Sequence, residues 1–425
     1  MKTRSLITLI LLFSFFYNYS QNEAAIWYFG LNAGLDFTNG APVALNNGQL
    51  ATNEGCATIS NSSGELLFYT DGITVWDKMH NVMPNGTGLL GNPSSTQSGI
   101  IVPKPGNQNI YYIFTVVSEA GIEGLNYSEV DLSLNSGNGD ITATKNVLLT
   151  TPSTEKISAI SHENGTDFWV VAHGWGNADF LAYPVTASGV NTTPVVSTVG
   201  TVHGSSQLDV FNSIGYLKIA PNGEKLALAV TYNQGFVEIF DFDNATGVVS
   251  NPITLSNIFY SDTGAYGIEF SPNSEILYVT DLNFSVGISK IHQYDITLNT
   301  SADIINSDTI IYEDNVFLGA LQLAIDQKIY VSISGGTSLG AIEDTDVLGG
   351  ASYIEDAVSL NGATAAFGLP PFIQSFFNVG IDTENVCLGT TATFSVNSSE
   401  AIDSILWDFG DGTTSSLENP THDYM

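Results

Sequence analysis

One short phrase recurs along this sequence and constrains its fold more than any other feature. It is clearest at 216–230 (YLKIAPNGEKLALAV) and 267–280 (GIEFSPNSEILYVT), where an apolar strand end, a Pro-Asn turn and a second apolar strand follow one another. Such a turn presets the backbone for a tight reversal. Looser copies lie at 57–69, 99–114, 159–171 and 321–332. The chain is therefore predicted to be a series of repeated hairpins.

The spacing of the copies predicts the architecture. The last apolar residues before the turns are Ile59, Val102, Ile160, Ile219, Phe270 and Leu323, with successive members 43 to 59 positions apart. Repeats of roughly 40–60 residues that each carry several strands are typical of propeller blades rather than solenoid coils. No stretch has a sustained 3.6-residue apolar period with capping residues, so almost no helix is expected. The predicted fold class is all-β, with a β-propeller as the main domain.

Six copies are legible, and a seventh blade is predicted from the two ends of the domain. Residues 372–377 (FIQSFF) would supply its inner strand, and 26–29, 35–37 and 43–45 would supply its outer strands. Joining the chain ends in one blade hides the sheet edges of the ring. Seven blades are expected, with six and eight as alternatives.

The charge balance excludes two classes of partner. The sequence has 10 Lys and Arg residues against 43 Asp and Glu residues, a net charge of −33. Nucleic acids and anionic membranes bind through basic patches, so neither is an expected partner. No cofactor is predicted, although the acidic balance is compatible with Ca²⁺ as well as with solubility alone.

The first twenty residues have the composition of a secretory signal peptide. Lys2 and Arg4 form a basic start, residues 6–17 are apolar, and Gln21 is the expected new N-terminus. About twelve apolar residues are too few to span a bilayer, and no later stretch is long enough. The mature protein is expected to be secreted or held at the cell surface.

Two cysteines remain after that segment, Cys56 and Cys387. They could form a disulfide in an oxidising compartment. Alternatively, Cys56 is buried and free, and Cys387 lacks its partner because the sequence stops early.

Two stretches carry weak candidate sites. His173 and Trp175 end the stretch 168–175 (FWVVAHGW) in a predicted loop, where they are either ligand contacts or packing residues. Asp241 and Asp243, followed by Asn244, resemble the start of a calcium loop, but no downstream acid completes it. A structural turn is the alternative for this pair.

Recognised catalytic motifs are missing. The stretch 336–340 matches G-x-S-x-G, but a loop follows it where a nucleophile elbow needs a helix. The six His residues have no metal-ligand spacing. A catalytic site made of acidic residues that converge in the propeller channel stays an alternative. Each blade would contribute only one such residue, so the set would form no local motif.

A different module begins at about residue 380. An alternating strand at 387–396 precedes a W-D-F-G-D-G motif and an N-P-x-H-x-Y motif, formed by Trp407, Asp408, Phe409, Gly410, Asp411, Gly412, Asn419, Pro420, His422 and Tyr424. These motifs resemble those of a PKD domain, an immunoglobulin-like β-sandwich. The resemblance covers 380–425, about half of such a module. Asp408 and Asp411 are candidates either for Ca²⁺ or for the turn.

The complete layout resembles a known group of exported surface proteins of the type IX secretion and gliding-associated kind. These have a β-propeller (YVTN/WD40-like) followed by PKD domains. The resemblance spans about 27–380 and rests on the stretches 27–37, 94–104, 111–115 and 368–377. The domains expected from it are a signal peptide at 1–20, a propeller at 21–379 and the N-terminal part of a PKD domain at 380–425.

The favoured function is non-enzymatic binding or adhesion, in which propeller loops bind an extracellular glycan or protein and the PKD module is a spacer. The alternative is a secreted polysaccharide lyase or glycosidase that uses carboxylates in the channel. A purely structural envelope component is a third hypothesis. Fold alone does not choose among them.

Overall fold

The structure is a computed structural model of the chain. It describes residues 21–204, 207–232, 235–378, 380–384, 391–397, 407–409, 413–417 and 419–424. The predicted signal peptide at 1–20 and Cys387 lie outside the described residues.

The recurrent phrase forms the hairpin that the sequence predicts. Strands Leu217–Ile219 and Lys225–Val230 flank its clearest copy. Between them, the N–H of Ala220 donates to Lys225 O over 2.8 Å and the N–H of Gly223 donates to Ala220 O over 2.8 Å. Gly223 has a φ of +77°, which glycine adopts without the steric cost of a Cβ. The Pro-Asn-Gly sequence therefore reverses the chain tightly and pairs two apolar strands.

Seven antiparallel sheets follow one another along the chain, and they form a seven-bladed β-propeller. The closing blade consists of β1 (Ile26–Phe29), β2 (Ala33–Asp36) and β3 (Val43–Leu45). The next three blades consist of β4 (Ala57–Ser60), β5 (Leu66–Thr70), β6 (Thr74–Asp77) and β7 (Val82–Thr87); of β8 (Gly99–Pro103), β9 (Ile110–Val116), β10 (Leu125–Asp131), β11 (Asp140–Ile141) and β12 (Val147–Thr150); and of β13 (Ser153–Ser161), β14 (Phe168–Gly174), β15 (Asp179–Thr186), β16 (Gly189–Val190) and β17 (Val195–Thr198).

The last three blades have four strands each. They consist of β18 (Leu217–Ile219), β19 (Lys225–Val230), β20 (Phe236–Asp243) and β21 (Val248–Leu255); of β22 (Gly264–Phe270), β23 (Ile276–Asn283), β24 (Ile288–Asp295) and β25 (Thr309–Asp314); and of β26 (Leu318–Leu323), β27 (Ile329–Ile333), β28 (Ser338–Glu343) and β29 (Ser352–Ser359). Helix is scarce among the described residues, as expected. It amounts to α1 (Ser301–Asn306) and short 3-10 turns at Gln21–Ala24, Ser118–Ala120, Asn135–Gly137, Gln207–Ser213 and Gln374–Phe377.

The first strand of each complete blade lies on the inside of the ring. Strands β4, β8, β13, β18, β22 and β26 contact one another in succession. Because these strands are parallel members of a ring, they begin on one face and end on the other. We call the face on which they begin the top face. Loops that precede the inner strands, and turns that join the second and third strands of a blade, therefore share the top face.

The closing blade differs from the prediction in its inner strand. Residues 372–377 form no strand, and their last four residues are a 3-10 turn. The inner position is taken instead by the chain from Thr364 onward. Thr364 makes an isolated bridge with Leu31, and the N–H of Phe367 donates to Asn53 O over 2.8 Å. Pro370 and Pro371 follow and cannot donate backbone hydrogen bonds to a ladder, which explains why no regular strand continues here.

The segment 368–377, which we call the tail, runs through the ring from the top face to the opposite face. Gly368 lies against Glu54 before β4, where a Cβ would come within 1.7 Å of a backbone oxygen. Further along, the Phe372 ring packs 5.9 Å from the Trp27 ring. Near its end, the Ser375 hydroxyl donates to Ser161 Oγ over 2.7 Å, at the far end of β13. The tail therefore fills the lower channel.

The described part of the C-terminal module has two small sheets. Strands β30 (Gly380–Glu384), β31 (Thr391–Asn397) and β34 (Thr421–Asp423) form one, and β32 (Trp407–Asp408) with β33 (Thr414–Ser415) forms the other. The Trp407 indole is buried and donates to Leu417 O over 2.9 Å. The rings of Phe409 and His422 stack at 4.2 Å. The motif residues therefore build the start of the sandwich core.

The tail generates a stability prediction. Phe377 is fully buried, and its ring lies 6.3 Å from Phe372. Phe377→Ala is expected to lower the free energy of unfolding by about 3–5 kcal/mol, through lost burial and a residual cavity. Chemical denaturation would measure this. Leu348→Ala, at a residue that is 44% exposed, is the control and should change it by less than about 0.5 kcal/mol. Equal effects of the two substitutions would contradict the position of the tail.

Candidate functional site

Two carboxyl groups lie where the channel opens on the top face. Glu155 is on β13 and fully buried, and Glu54 lies three residues before the start of β4. Burial raises the pKa of Glu54 most, and the negative charge of Glu155 adds to the rise, so the two carboxyls interact electrostatically. We call this region, with the neighbouring Tyr216, Tyr232 and Tyr266, the channel mouth.

Glu155 is held by several donors. The Thr96 N–H and hydroxyl donate to its Oε2 over 2.7 and 2.8 Å, and the Glu119 N–H donates to its Oε1 over 2.7 Å. The Ser213 hydroxyl lies 3.4 Å from the same Oε1. Burial raises the pKa of Glu155, while these donors and the neighbouring Lys156 oppose that rise by favouring the carboxylate. Glu155 is thus a fixed acceptor in the wall of the mouth.

Glu54 has the opposite character. Burial, together with the charges of Glu155 and Glu119, raises its pKa to about 8. Its Oε2 atom is buried and makes no hydrogen bond within the described residues. A carboxyl of this kind is protonated at neutral pH and retains an unused donor or acceptor atom.

Tyrosines complete the floor of the mouth. Tyr266 lies near the start of β22 and is 4% exposed. Its hydroxyl also lacks a partner among the described residues. Burial raises its pKa well above the usual range, and the charge of Glu54 adds to the rise. The Tyr216 ring packs edge-on against Tyr266 with centroids 5.6 Å apart. The mouth therefore holds Glu54 Oε2, Tyr216 OH and Tyr266 OH, which make no hydrogen bond among the described residues.

Tyr232 is held in a strained backbone conformation beside them. Its φ is +65°, which is costly for a residue with a bulky side chain. Its N–H donates to Thr263 O over 2.7 Å, and the Asn212 side chain donates to its carbonyl over 2.9 Å. Neighbouring loops thus fix the backbone that presents the Tyr232 ring at the mouth.

Half-exposed aromatic rings extend from Tyr232 around one side of the mouth. We call this set the aromatic arc, and it comprises Phe211, Tyr232, Phe284, Phe317 and Phe367. Ring centroids are 5.2 Å apart for Phe211–Tyr232, 6.5 Å for Tyr232–Phe284, 5.1 Å for Phe284–Phe317 and 5.9 Å for Phe284–Phe367. Phe211 is 43% and Phe284 39% exposed. Clustered exposed apolar rings are typical of interaction sites.

The channel below the mouth is closed. Lys218, Glu269 and Gln322 meet inside the ring, all buried, with Lys218 Nζ 2.7 Å from Glu269 Oε2 and 2.6 Å from Gln322 Oε1. Each comes from the inner strand of a different blade. Pairing and hydrogen bonding offset the cost of burying these charges. With the tail beneath them, a ligand can approach the mouth only from the top face.

A second cleft, of about 410 Å³, lies between the closing blade and the blade of β4–β7 and includes Tyr28, Asn47 and His80 in its lining. Its polar groups bond to one another. The Tyr28 hydroxyl donates to Asn47 Oδ1 over 2.9 Å, and Asn47 Nδ2 lies 2.8 Å from His80 Nε2. Because these groups satisfy each other, the cleft offers less to a ligand than the mouth does.

The structure corrects the expected position of His173. Strand β14 extends to Gly174, so His173 lies in a strand and not in a loop, and it is 1% exposed. Its ring stacks on that of His203 at 4.0 Å, and burial lowers its pKa to about 4. Trp175 is partly exposed at the top face and covers Gly204. His173 therefore has a packing environment, whereas a ligand role for Trp175 stays a prediction.

Asp241 and Asp243, in the fourth complete blade, accept hydrogen bonds from groups of the same blade. Asp241 accepts from Lys225 Nζ over 2.6 Å and from Asn251 Nδ2 over 2.7 Å. Asp243 accepts from the N–H of Ala245 over 3.0 Å within the β20–β21 turn. In the part of the chain that the structure describes, no group of three His, Cys, Asp or Glu residues could hold a metal ion. Calcium binding stays an untested prediction.

Several predicted residues lie at the limit of the description. Gly410, Asp411 and Gly412 are outside it, as is the side chain of Asp408, so the candidate calcium ligands of this module are not described.

Cys56 is buried with a free thiol, and burial raises its pKa. No helix within the described ranges is long and apolar enough to cross a membrane.

Comparison with known proteins identifies the second module. Residues 378–425 match the PKD domain family. No curated protein matches the sequence. The chain thus joins a seven-bladed β-propeller to a C-terminal PKD domain.

Solved structures resemble the chain at low identity. A protein proposed to be a 6-phosphogluconolactonase from Bacteroides fragilis is 12% identical with a TM-score of 0.41, and the alignment covers 87% of this chain and 94% of that one. One of the same description from Bacteroides uniformis is 13% identical with a TM-score of 0.39, covering 88% and 98%. The Dos1 propeller is 10% identical with a TM-score of 0.42, covering 79% and 75%. These similarities carry no argument about activity.

The raised pKa of Glu54 predicts a pH dependence of stability. Folded Glu54 holds its proton up to about pH 8, whereas an exposed Glu has an ordinary pKa of 4.5. The contribution of Glu54 to the free energy of unfolding is therefore fully present below about pH 4.5 and is lost as the pH rises through about 8. Glu54→Gln should remove on the order of 1–3 kcal/mol of this dependence, measured by denaturation at several pH values. An unchanged pH profile in the variant would contradict the environment assigned to Glu54.

Proposed function

We propose that this chain is an exported surface protein whose propeller binds a glycan at the channel mouth, without converting it chemically. One observation carries the proposal. The aromatic arc stands half exposed beside a buried carboxyl oxygen, Glu54 Oε2, and a buried hydroxyl, Tyr266 OH, that have no partners within the described residues.

This combination is complementary to a sugar ring. A pyranose has an apolar face of C–H groups and an edge of hydroxyl groups. Rigid aromatic rings such as Tyr232 and Phe284 offer a broad apolar surface at low cost in side-chain entropy. Glu54, Glu155 and Tyr266 offer donors and acceptors below it. A mouth closed from beneath also suits the end or a short segment of a chain, which enters from one side.

The second module supports the surface location. PKD domains are typically extracellular, and here the module follows the propeller in the chain. Together with the basic and apolar start at 1–20, this favours export as a secreted or cell-surface protein, and the type IX route is part of the proposal. In this arrangement the PKD module is a spacer that presents the propeller.

Hydrolysis of the glycan is the second candidate function. It is favoured by the two mouth carboxyls, since a protonated Glu54 beside a hydrogen-bonded Glu155 is the kind of pair that serves as general acid and base. The same binding assay separates the candidates if reducing ends are measured in each well. New reducing ends, abolished in Glu155→Gln, would assign an enzyme.

The binding proposal predicts a dominant role for the arc. On a glycan array, Phe284→Ala is expected to lower the affinity for the bound glycan about tenfold or more, because it removes a half-exposed ring at the centre of the arc. Tyr312→Ala is the matched control. It removes an aromatic ring from β25, on the outer strand of its blade, and should leave affinity within about twofold of the parent. Equal losses in both variants, or no saturable binding of any glycan, would refute the proposal.

A further inference from the structure

We propose that the channel mouth selects glycans that carry free amino groups, such as oligomers of glucosamine, over uncharged and acidic glycans. This inference rests on the glycan-binding function proposed above and names the class of ligand for that site.

The sequence restricts the cations that could bind an acidic sugar. After Arg4 the chain has no arginine, and its eight remaining lysines are all among the described residues. Bidentate guanidinium contacts, the commonest way to hold a carboxylate, are therefore impossible at any described position. Ion pairing with a uronic acid or a sulfated sugar, through a side chain that is charged at neutral pH, would therefore depend on lysine.

The lysines are engaged elsewhere. Ion pairs with Glu269, Asp241, Glu313 and Glu343 occupy Lys218, Lys225, Lys290 and Lys328. Lys145 donates to Asn85 O and Thr87 O, Lys78 lies in the cleft near Tyr28, and Lys104 lies in the turn after β8, away from the top face.

Lys156 is the lysine nearest the mouth, and it is buried. Its Nζ donates to Asn212 O, Ser213 O and Ile214 O over 3.3, 2.7 and 2.7 Å. These three acceptors use its three N–H donors, so none is left for an anionic ligand. No described cation at the mouth has a free donor.

The acids at the mouth are in excess. Glu54 faces Glu155 and Glu119, and it interacts with the hydroxyls of Tyr216, Tyr232 and Tyr266; Asp262 lies near Tyr232, and Lys156 adjoins Glu155. The Oε2 atom of Glu54 lacks a partner among the described residues. An ammonium group placed there would meet one unpaired carboxyl and a neighbouring carboxylate, and it would compensate the charge that burial disfavours.

The aromatic arc suits the same group. A cation over the face of a Tyr or Phe ring is attracted by the ring quadrupole, most strongly when water is excluded. Tyr232 and Phe284, with ring centroids 6.5 Å apart, stand beside the acids. Rings beside a carboxylate attract an ammonium ligand, whereas a uronate would be repelled by the negative charge of Glu155 and by the faces of the rings.

Binding of an ammonium should release a proton. The positive charge favours the carboxylate form of Glu54, so its proton leaves for the solvent when the ligand binds below about pH 8. The proton count balances as one ammonium bound and one proton released, with no covalent change. An uncharged sugar would release none.

The test is isothermal titration calorimetry on the full chain at about pH 6, where glucosamine amines are charged. The probes are hexamers of glucosamine, N-acetylglucosamine and galacturonic acid. We expect the glucosamine hexamer to bind at least about tenfold more tightly than its acetylated counterpart, and the galacturonate hexamer not to bind. Heats measured in buffers of different ionisation enthalpy should show proton release for glucosamine only.

Two variants make the result specific. Glu54→Gln should reduce the preference for glucosamine to within about threefold and abolish the proton release. Glu275→Gln, the same change at an exposed acid on the opposite face, should leave both intact. Equal circular dichroism spectra would show that both variants fold, and a Glu54→Gln protein that failed to fold would leave the three-probe comparison on the parent chain to decide.

Equal affinity for the first two hexamers, or tighter binding of galacturonate, would overturn this inference and leave the glycan-binding function standing. Absence of binding to all three, together with an empty glycan array, would overturn the glycan-binding function itself. A preference for glucosamine that persisted undiminished in a folded Glu54→Gln variant would refute the role of Glu54.

Discussion

The rest of the structure depends on closing the ring. Each blade buries an apolar face against its neighbours, and a single open side would expose such a face to water. The two ends of the propeller domain close that side. Thr364 bridges Leu31, and the N–H of Ala320 donates to Phe367 O over 2.7 Å, which ties the last complete blade to the closing one. The tail then enters the ring and fills its lower half.

Closure also creates the site. Because the tail and the Lys218–Glu269–Gln322 cluster occupy the channel below, the polar groups of the mouth lie beneath the top face and can be approached only from that side. Burial there raises the pKa of Glu54, and the same low-polarity surroundings strengthen contacts with any ligand that fits. The strained Tyr232 shows that the surrounding loops stabilise a backbone conformation that the chain would otherwise avoid. The site is thus a product of the ring and not of one motif.

The sequence predicts the features that depend on local patterns and misses those that depend on how the ring closes. Repeated Pro-Asn hairpins and the W-D-F-G-D-G motif are local patterns, and the propeller and the PKD domain were both predictable from them. The prediction for the inner strand of the closing blade was wrong. The apolar run 372–377 has the composition of a strand, but the preceding prolines prevent pairing. His173 was misplaced because the boundary between strand β14 and its loop falls beyond it.

The mouth could not be predicted because its members come from separate blades. Glu54 and Glu155 are far apart in the sequence, and neither belongs to a recognisable motif. One signal was present, however. Both acids stand at or just before the start of an inner strand, a position that the hairpin phrase locates in every blade. Collecting the polar residues at that position would have identified the two carboxyls, although not the aromatic arc, whose rings come from loops of varying length.

The most direct test of the account is a crystal structure of the chain with a glucosamine oligosaccharide bound. The account predicts electron density for a sugar ring against Tyr232 and Phe284, with an amino group within hydrogen-bond distance of Glu54. Density in the cleft near Tyr28 and His80 instead, with an empty mouth, would contradict the central claim that the propeller binds its ligand where the channel opens.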